Sequence, residues 1–382
     1  MHTSKAAVMV SPGKIDIQSF PIPEPEPGAV VMKVNLSGIC GTDKHTFRGE
    51  SKQYVGTPHE KDIQYPLICG HENVGTIIAT GGEVFDSEGK VLKPGDRIVH
   101  GANVACGICY FCINNYPYYF CTKMEDYGNS LTISRSPSLF GGWSEFMYLL
   151  PGTPLFRVPD SLPDEVAVIT EVMAVTHGVD TAIKILGING GPSSGFSVGV
   201  LGIGPLGLCH LIKAKLLGAG LIVGTDVLAS RLKFAEEFGL DFGFDSTKTS
   251  SKERYDQIQK LTNGRGLDII LNCSGVPVTF SEALKLVRVG GVIVEAGTFV
   301  DMGPVQINPN SDICTRNVSI IGIGGEKSTE YLPAMQLMAA NLEKYPFHKI
   351  TSHIFSLDEA EKAVKFAQTG EAMQVAINPS MK

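Results

Sequence analysis

The chain has 382 residues, 43% hydrophobic and 19% charged, with a net charge of -7 and a pI near 5.7. That length exceeds one comfortable core, so two domains are expected, and the acidic balance argues against nucleic acid or an anionic membrane as the main partner. No uncharged apolar run could span a bilayer and the opening Met-His-Thr-Ser-Lys has no apolar leader core, so a cytoplasmic protein is expected.

Residues 5–17 and 29–37 are β-branched or alternating and predict strands. The proline-rich connector 21–28 between them can be neither helix nor central strand. Strands are expected again over 74–80 and 97–100, with a turn at Lys93-Pro94-Gly95-Asp96, and over 143–150 and 155–158, which makes an irregular β domain. Near Asp164 the pattern changes, because 166–186 reads at helical spacing. From there strands at 196–201, 221–225, 239–244, 267–272 and 291–296 alternate with helices at 206–217, 229–238, 250–262 and 279–286. A last strand at 318–323 follows, and such alternation predicts a parallel, doubly wound sheet. Residues 331–342 and 357–366 look helical.

Within that alternation lies Gly202-Ile203-Gly204-Pro205-Leu206-Gly207, a G-x-G-x-x-G element that follows a strand and opens a helix. Its glycines allow a tight turn and close backbone approach, so a pyrophosphate can rest on the helix N-terminus. Asp226 ends the next strand, where a carboxylate can accept bonds from both adenosine ribose hydroxyls and repel a 2′-phosphate. NAD is therefore expected over NADP, with Arg231 packing beside the adenine or pairing with Asp226. The bland alternative for Asp226 is a cap for the helix that begins near Ala229.

Two further clusters point to metal. In Gly70-His71-Glu72-Asn73-Val74-Gly75 an imidazole adjoins a carboxylate among glycines, and Cys40 stands upstream; thiolate, imidazole and carboxylate are the ligand types of a catalytic zinc. Cys106-x2-Cys109-x2-Cys112-x8-Cys121 offers four thiolates for one closed tetrahedral ion, the pattern of a structural zinc. An iron–sulfur cluster is the alternative, but no proline follows the last cysteine. His59-Glu60 resembles a second ligand pair without the flanking glycines and is read as solvated or as lining a cleft. His100, His177 and His210 are read as core or surface groups.

Cys40-Gly41-Thr42-Asp43-Lys44-His45 and the Gly70 to Val84 element, taken with the dinucleotide and four-cysteine motifs, resemble the zinc-dependent medium-chain alcohol and polyol dehydrogenases over essentially the whole chain. The resemblance implies a two-domain α/β fold: a GroES-like catalytic domain from residues 1–172 and 325–382, interrupted by a Rossmann NAD-binding domain at 173–324. It also implies that Cys40 and His71 ligate the catalytic zinc, with Glu72 ligating in the polyol branch. Glu171 replaces the second cysteine ligand of the alcohol branch, in a helix similar to that of sorbitol dehydrogenases. Asp43 becomes a candidate acceptor for the other ring nitrogen of His71. Thr42 and His45 become the relay that carries the substrate proton to solvent. The four-cysteine loop has one residue more than the family usually carries before Cys121. The expected reaction is NAD-linked oxidation of a small-molecule secondary alcohol, a polyol, cyclitol or sugar derivative, or reduction of the matching ketone, by a homodimer or homotetramer. L-Threonine or another amino alcohol, a simple alcohol, a zinc-free quinone or enoyl reductase, and a nucleotide-sensing protein with an inactive site are the alternatives.

Overall fold

The computed structural model describes residues 3–53, 55–56 and 60–381; His59 and the ligand-pair reading attached to it lie outside these. The chain divides into two compact units, Met1–Ala174 with Lys327–Lys382, and Val175–Glu326.

The first unit is an irregular β structure. β1 (Thr3–Ser11) and β2 (Lys14–Pro21) form an antiparallel hairpin, so the single run expected over 5–17 is in fact two strands folded at Pro12-Gly13, where Gly13 takes φ 77°. β3 (Val30–Gly38) is the centre of the larger sheet. β4 (Asn73–Thr80) pairs with it antiparallel, followed outward by β5 (Arg97–His100) and, beyond, the edge strand Leu155–Arg157. Phe146–Leu149 also pairs β3. Apolar residues of β1, β3 and the 139–150 region, with Trp143 fully buried, make its core. The helical stretch expected over 166–186 is broken into Asp164–Ala167, Thr170–Val175 and His177–Ile188.

The second unit is the doubly wound sheet. Its strands are β6 (Ser197–Leu201), β7 (Leu221–Asp226), β8 (Phe242–Asp245), β9 (Leu267–Asn272), β10 (Val287–Glu295) and β11 (Ser319–Gly322). All pairings are parallel in the order β8-β7-β6-β9-β10-β11. β6 and β9 are almost wholly apolar and buried, as strands covered on both faces must be. The sheet order reverses at β6, and ligands of such sheets bind at that switch point.

The chain then returns to the first unit. β12 (Thr351–Ser356) and β13 (Gln374–Asn378) run parallel to each other, and β13 pairs antiparallel with β3. Local propensity does not reveal either strand, although their docking against the β domain is expected from the family resemblance. No helix among the described residues is long and apolar enough to cross a membrane.

Candidate metal centre and cofactor site

Adjacent strands gather the catalytic candidates at one end of the large sheet. β3 and β4 pair Ser37 with Asn73, and the Gly38 amide donates to the Glu72 carbonyl at 2.8 Å. Cys40 leaves the end of β3 just as His71 and Glu72 enter β4. Gly70 turns the chain there with φ 93°, and a Cβ on it would lie 2.4 Å from Ser37 Oγ and 2.6 Å from the Trp143 ring, so only glycine fits.

Cys40 caps helix Gly41–Arg48, and Asp43 locks the corner. Its carboxylate accepts from the Cys40 amide at 2.8 Å and from the Gly70 amide at 3.3 Å. Where the sequence suggests an acceptor for the His71 ring, Asp43 ties the backbone of the Cys40 and Gly70 segments together and acts on His71 through its charge. Donor atoms of Cys40, His71 and Glu72 all lie within 4.8 Å of one another. Glu171 is buried within charge reach of Cys40, His71 and Glu72 but does not join that close cluster.

The electrostatics ask for a cation. Burial, then the Glu72 charge, raises the Cys40 thiol. Burial, then Glu171, pushes Glu72 up to about 8, and burial likewise raises Glu171. Burial opposes a charged His71, yet the surrounding Cys40, Asp43 and Glu171 hold it well above 6.5. Acidic groups crowded in a dry site around one imidazole are costly without a positive centre. The sulfur, nitrogen and oxygen donors present fit zinc.

Thr42 Oγ1 lies 3.9 Å from Cys40 Sγ, and His45 follows one turn along the same helix. His45 Nδ1 is 2.8 Å from Glu50 Oε2 and 2.9 Å from Arg48 Nη2. Burial, partly opposed by Glu50, lowers its pKa below 6.5, so the ring is mainly neutral at pH 7.

Two neighbours of the centre have no signal in the sequence. Gln374, at the start of β13, donates from Nε2 to Glu72 Oε2 at 2.5 Å. Asp126 is partly covered as a residue, but its Oδ1 is sealed from solvent without a partner while Gln53 Nε2 donates to Oδ2. Burial pushes it up to about 7. Its segment backs on the centre: a Cβ on Gly128 would come within 2.8 Å of the Gly70 nitrogen.

In the four-cysteine lobe the sulfurs of Cys106, Cys109, Cys112 and Cys121 also lie mutually within 4.8 Å. The extra loop residue is taken up by a short 3-10 turn, Tyr118–Phe120, which returns Cys121 to the group. Amides of Cys112 and Thr122 lower Cys109 to about 6, whereas burial raises Cys121 to about 12. Four sulfurs this close suit a tetrahedral ion held by protein ligands alone.

In the second unit, Gly204 caps helix Pro205–Leu216, and a Cβ on Gly207 would sit 1.9 Å from the Gly202 carbonyl oxygen. Asp226 accepts from the Ile203 amide at 2.7 Å and the Leu228 amide at 2.9 Å, which ties the glycine turn to the end of β7. The following helix is capped by Leu228. Arg231 brings Nη1 to 3.8 Å from where a Gly204 Cβ would be. Gly202, Gly204, Asp226, Arg231 and Ser274 line a cavity of about 1120 Å³, large enough for a dinucleotide's adenosine half.

The comparisons with known proteins agree with this geometry. The alcohol dehydrogenase GroES-like domain matches residues 26–160, and the zinc-binding dehydrogenase domain matches residues 205–340. The 5-exo-hydroxycamphor dehydrogenase of Pseudomonas putida is 28% identical, with 100% of both chains covered. Sorbitol dehydrogenase of Ovis aries is 28% identical over 97% of this chain and 95% of its own. The alcohol dehydrogenase of Thermotoga maritima superposes with a TM-score of 0.90 at 29% identity, covering 100% of each chain. With both halves matched in the order the fold presents them, the chain belongs to the zinc-dependent medium-chain dehydrogenases, enzymes that act on CH–OH groups with zinc and a nicotinamide cofactor.

Proposed function

We propose that this enzyme is an NAD-linked dehydrogenase of secondary alcohols whose substrate is a polyol, cyclitol or sugar derivative. The observation that carries the reading is the Cys40–His71–Glu72 cluster with the buried Glu171 beside it, a site with one thiolate and two carboxylates. Cys40, His71 and Glu72 would hold zinc, with Glu171 as an added or alternating ligand. When bound, zinc supplies the Lewis acid that lowers the pKa of the substrate hydroxyl. Asp43 fixes the two segments that carry the ligands. Thr42 takes the hydroxyl proton, and the neutral His45, partly exposed beside Glu50, delivers it to solvent. The Gly202 to Gly207 turn, with Ile203, Pro205 and Leu206, cradles the pyrophosphate, Arg231 flanks it, and Asp226 takes the ribose hydroxyls and disfavours NADP. Cys106, Cys109, Cys112 and Cys121 hold a second, structural zinc.

Unpaired cysteines throughout suit a reducing cytoplasm, and the edge strand β11 offers a pairing surface for a homodimer or homotetramer. The relative named for 5-exo-hydroxycamphor makes a rigid apolar secondary alcohol the second reading. A panel of polyols, cyclitols, amino alcohols, primary alcohols and a bicyclic terpene alcohol, followed by reduction of NAD and of NADP, separates these. Turnover confined to primary alcohols overturns the polyol reading, and preference for NADP overturns the role given to Asp226.

A further inference from the structure

We propose that Gln374 is a positioning residue that occupies one oxygen of Glu72 and leaves the other, Oε1, as the atom offered to the metal. The inference rests on the reading of Glu72 as a ligand. Three chain segments distant in sequence converge to make it. The Ile39 amide donates to the Val375 carbonyl at 2.9 Å, and Ala376 pairs with Gly38, so the register carries Gln374 to the level of Cys40 at the end of the sheet. There its side-chain amide meets Glu72 Oε2 at 2.5 Å, with Gln374 2% and Glu72 1% exposed.

The contact passes over the open face of Gly38. A Cβ at that position would lie 2.1 Å from Glu72 Oε2 and 2.9 Å from Gln374 Nε2, so any side chain there would displace both. Oε1 of the same amide lies 3.4 Å from Thr351 Oγ1, which donates its proton to the Glu165 carbonyl at 2.8 Å. The Gln374 amide nitrogen of the main chain bonds the Ile350 carbonyl at 3.0 Å. The main chain is therefore fixed by the strand pairing and the side-chain amide by Glu72. A neutral donor suits this position, because it orients the carboxylate without neutralising the charge that a cation needs. With Oε2 engaged, Glu72 is held to one-oxygen ligation.

The test follows the metal itself. Gln374→Met keeps the volume and removes the donor; Gln374→Asn keeps the amide but cannot reach. Zinc content is measured per chain, then the rate at which each ion passes to a chromophoric chelator, and then the visible spectrum after cobalt exchange at the catalytic site. We expect one ion to leave about 10–100-fold faster in both variants, with an altered cobalt spectrum, while the four-cysteine ion leaves at the wild-type rate and reports an intact fold. Wild-type release and spectrum in the variants overturn the proposal. Glu72→Ala separates the two layers: faster release there alone sinks the Gln374 role, whereas unchanged release there sinks Glu72 as a ligand. If Gln374→Met does not fold, Gln374→Asn carries the same measurement.

Discussion

Replacing Asp126 by asparagine should stabilise the enzyme, and increasingly so as the pH rises. The carboxyl group titrates near 7 in the folded chain against 3.8 when solvated. Folding raises its pKa, so the folded state prefers the proton. The buried group costs nothing below about pH 4, and its cost grows through the interval and levels off above about 7. At about 1.4 kcal/mol per pKa unit, the full penalty is about 4 kcal/mol. Roughly half of it is already present near pH 5.5, so about 2 kcal/mol more should appear by about pH 8.5. Asparagine has no charge to desolvate and still offers an oxygen to Gln53 Nε2. Urea unfolding of the metal-free wild type and Asp126→Asn at those two pH values, with chelator present, gives the comparison. Groups common to both proteins, Glu72 among them, cancel in the difference. A stability gap that stays level or narrows as pH rises would show that Asp126 carries no such penalty.

Alanine at Gly207 should weaken dinucleotide binding, because its Cβ would start 1.9 Å from the Gly202 oxygen and the phosphate turn must open. Overpacking of this kind costs about 1–3 kcal/mol, so NADH fluorescence titration should show at least about a fivefold loss of affinity; an unchanged affinity contradicts the fit. Cys109→Ser should leave one metal ion per chain instead of two and expose the 106–121 loop to limited proteolysis, because the lobe has little core of its own. Two ions retained at full occupancy would show that its sulfur is not a ligand.

The alternation of strands and helices in the second unit was legible because buried parallel strands are continuous apolar runs, and the observed edges fall within a few residues of those expected. The candidate metal donors were legible as residue types, since sulfur and imidazole among glycines are chemically conspicuous. Helix Gly41–Arg48 was not, because Gly41-Thr42-Asp43-Lys44-His45-Thr46 carries no apolar period; its signal was only the reciprocal cap between Cys40 and Asp43. Gln374 and Asp126 escaped for a different reason. Their environments are made by partners far along the chain, Glu72 for one and Gln53 with the Gly70 corner for the other, and no local pattern announces such meetings.

The return of β13 to the side of β3 also sets a schedule. Cys40, His71, Glu72 and Glu171 all emerge from the ribosome early, but Gln374 and the strand that flanks Cys40 are made about two hundred residues after Glu171. At typical synthesis rates that is a wait on the order of ten to forty seconds. During it the dinucleotide-binding unit is translated and can fold, while the half-built sheet presents an open edge and a set of acidic donors lacking their last support. On the proposed reading the donors reach their final arrangement only in the completed polypeptide, and a nascent chain stalled within the insertion would carry Cys40, His71 and Glu72 without the strand that flanks them.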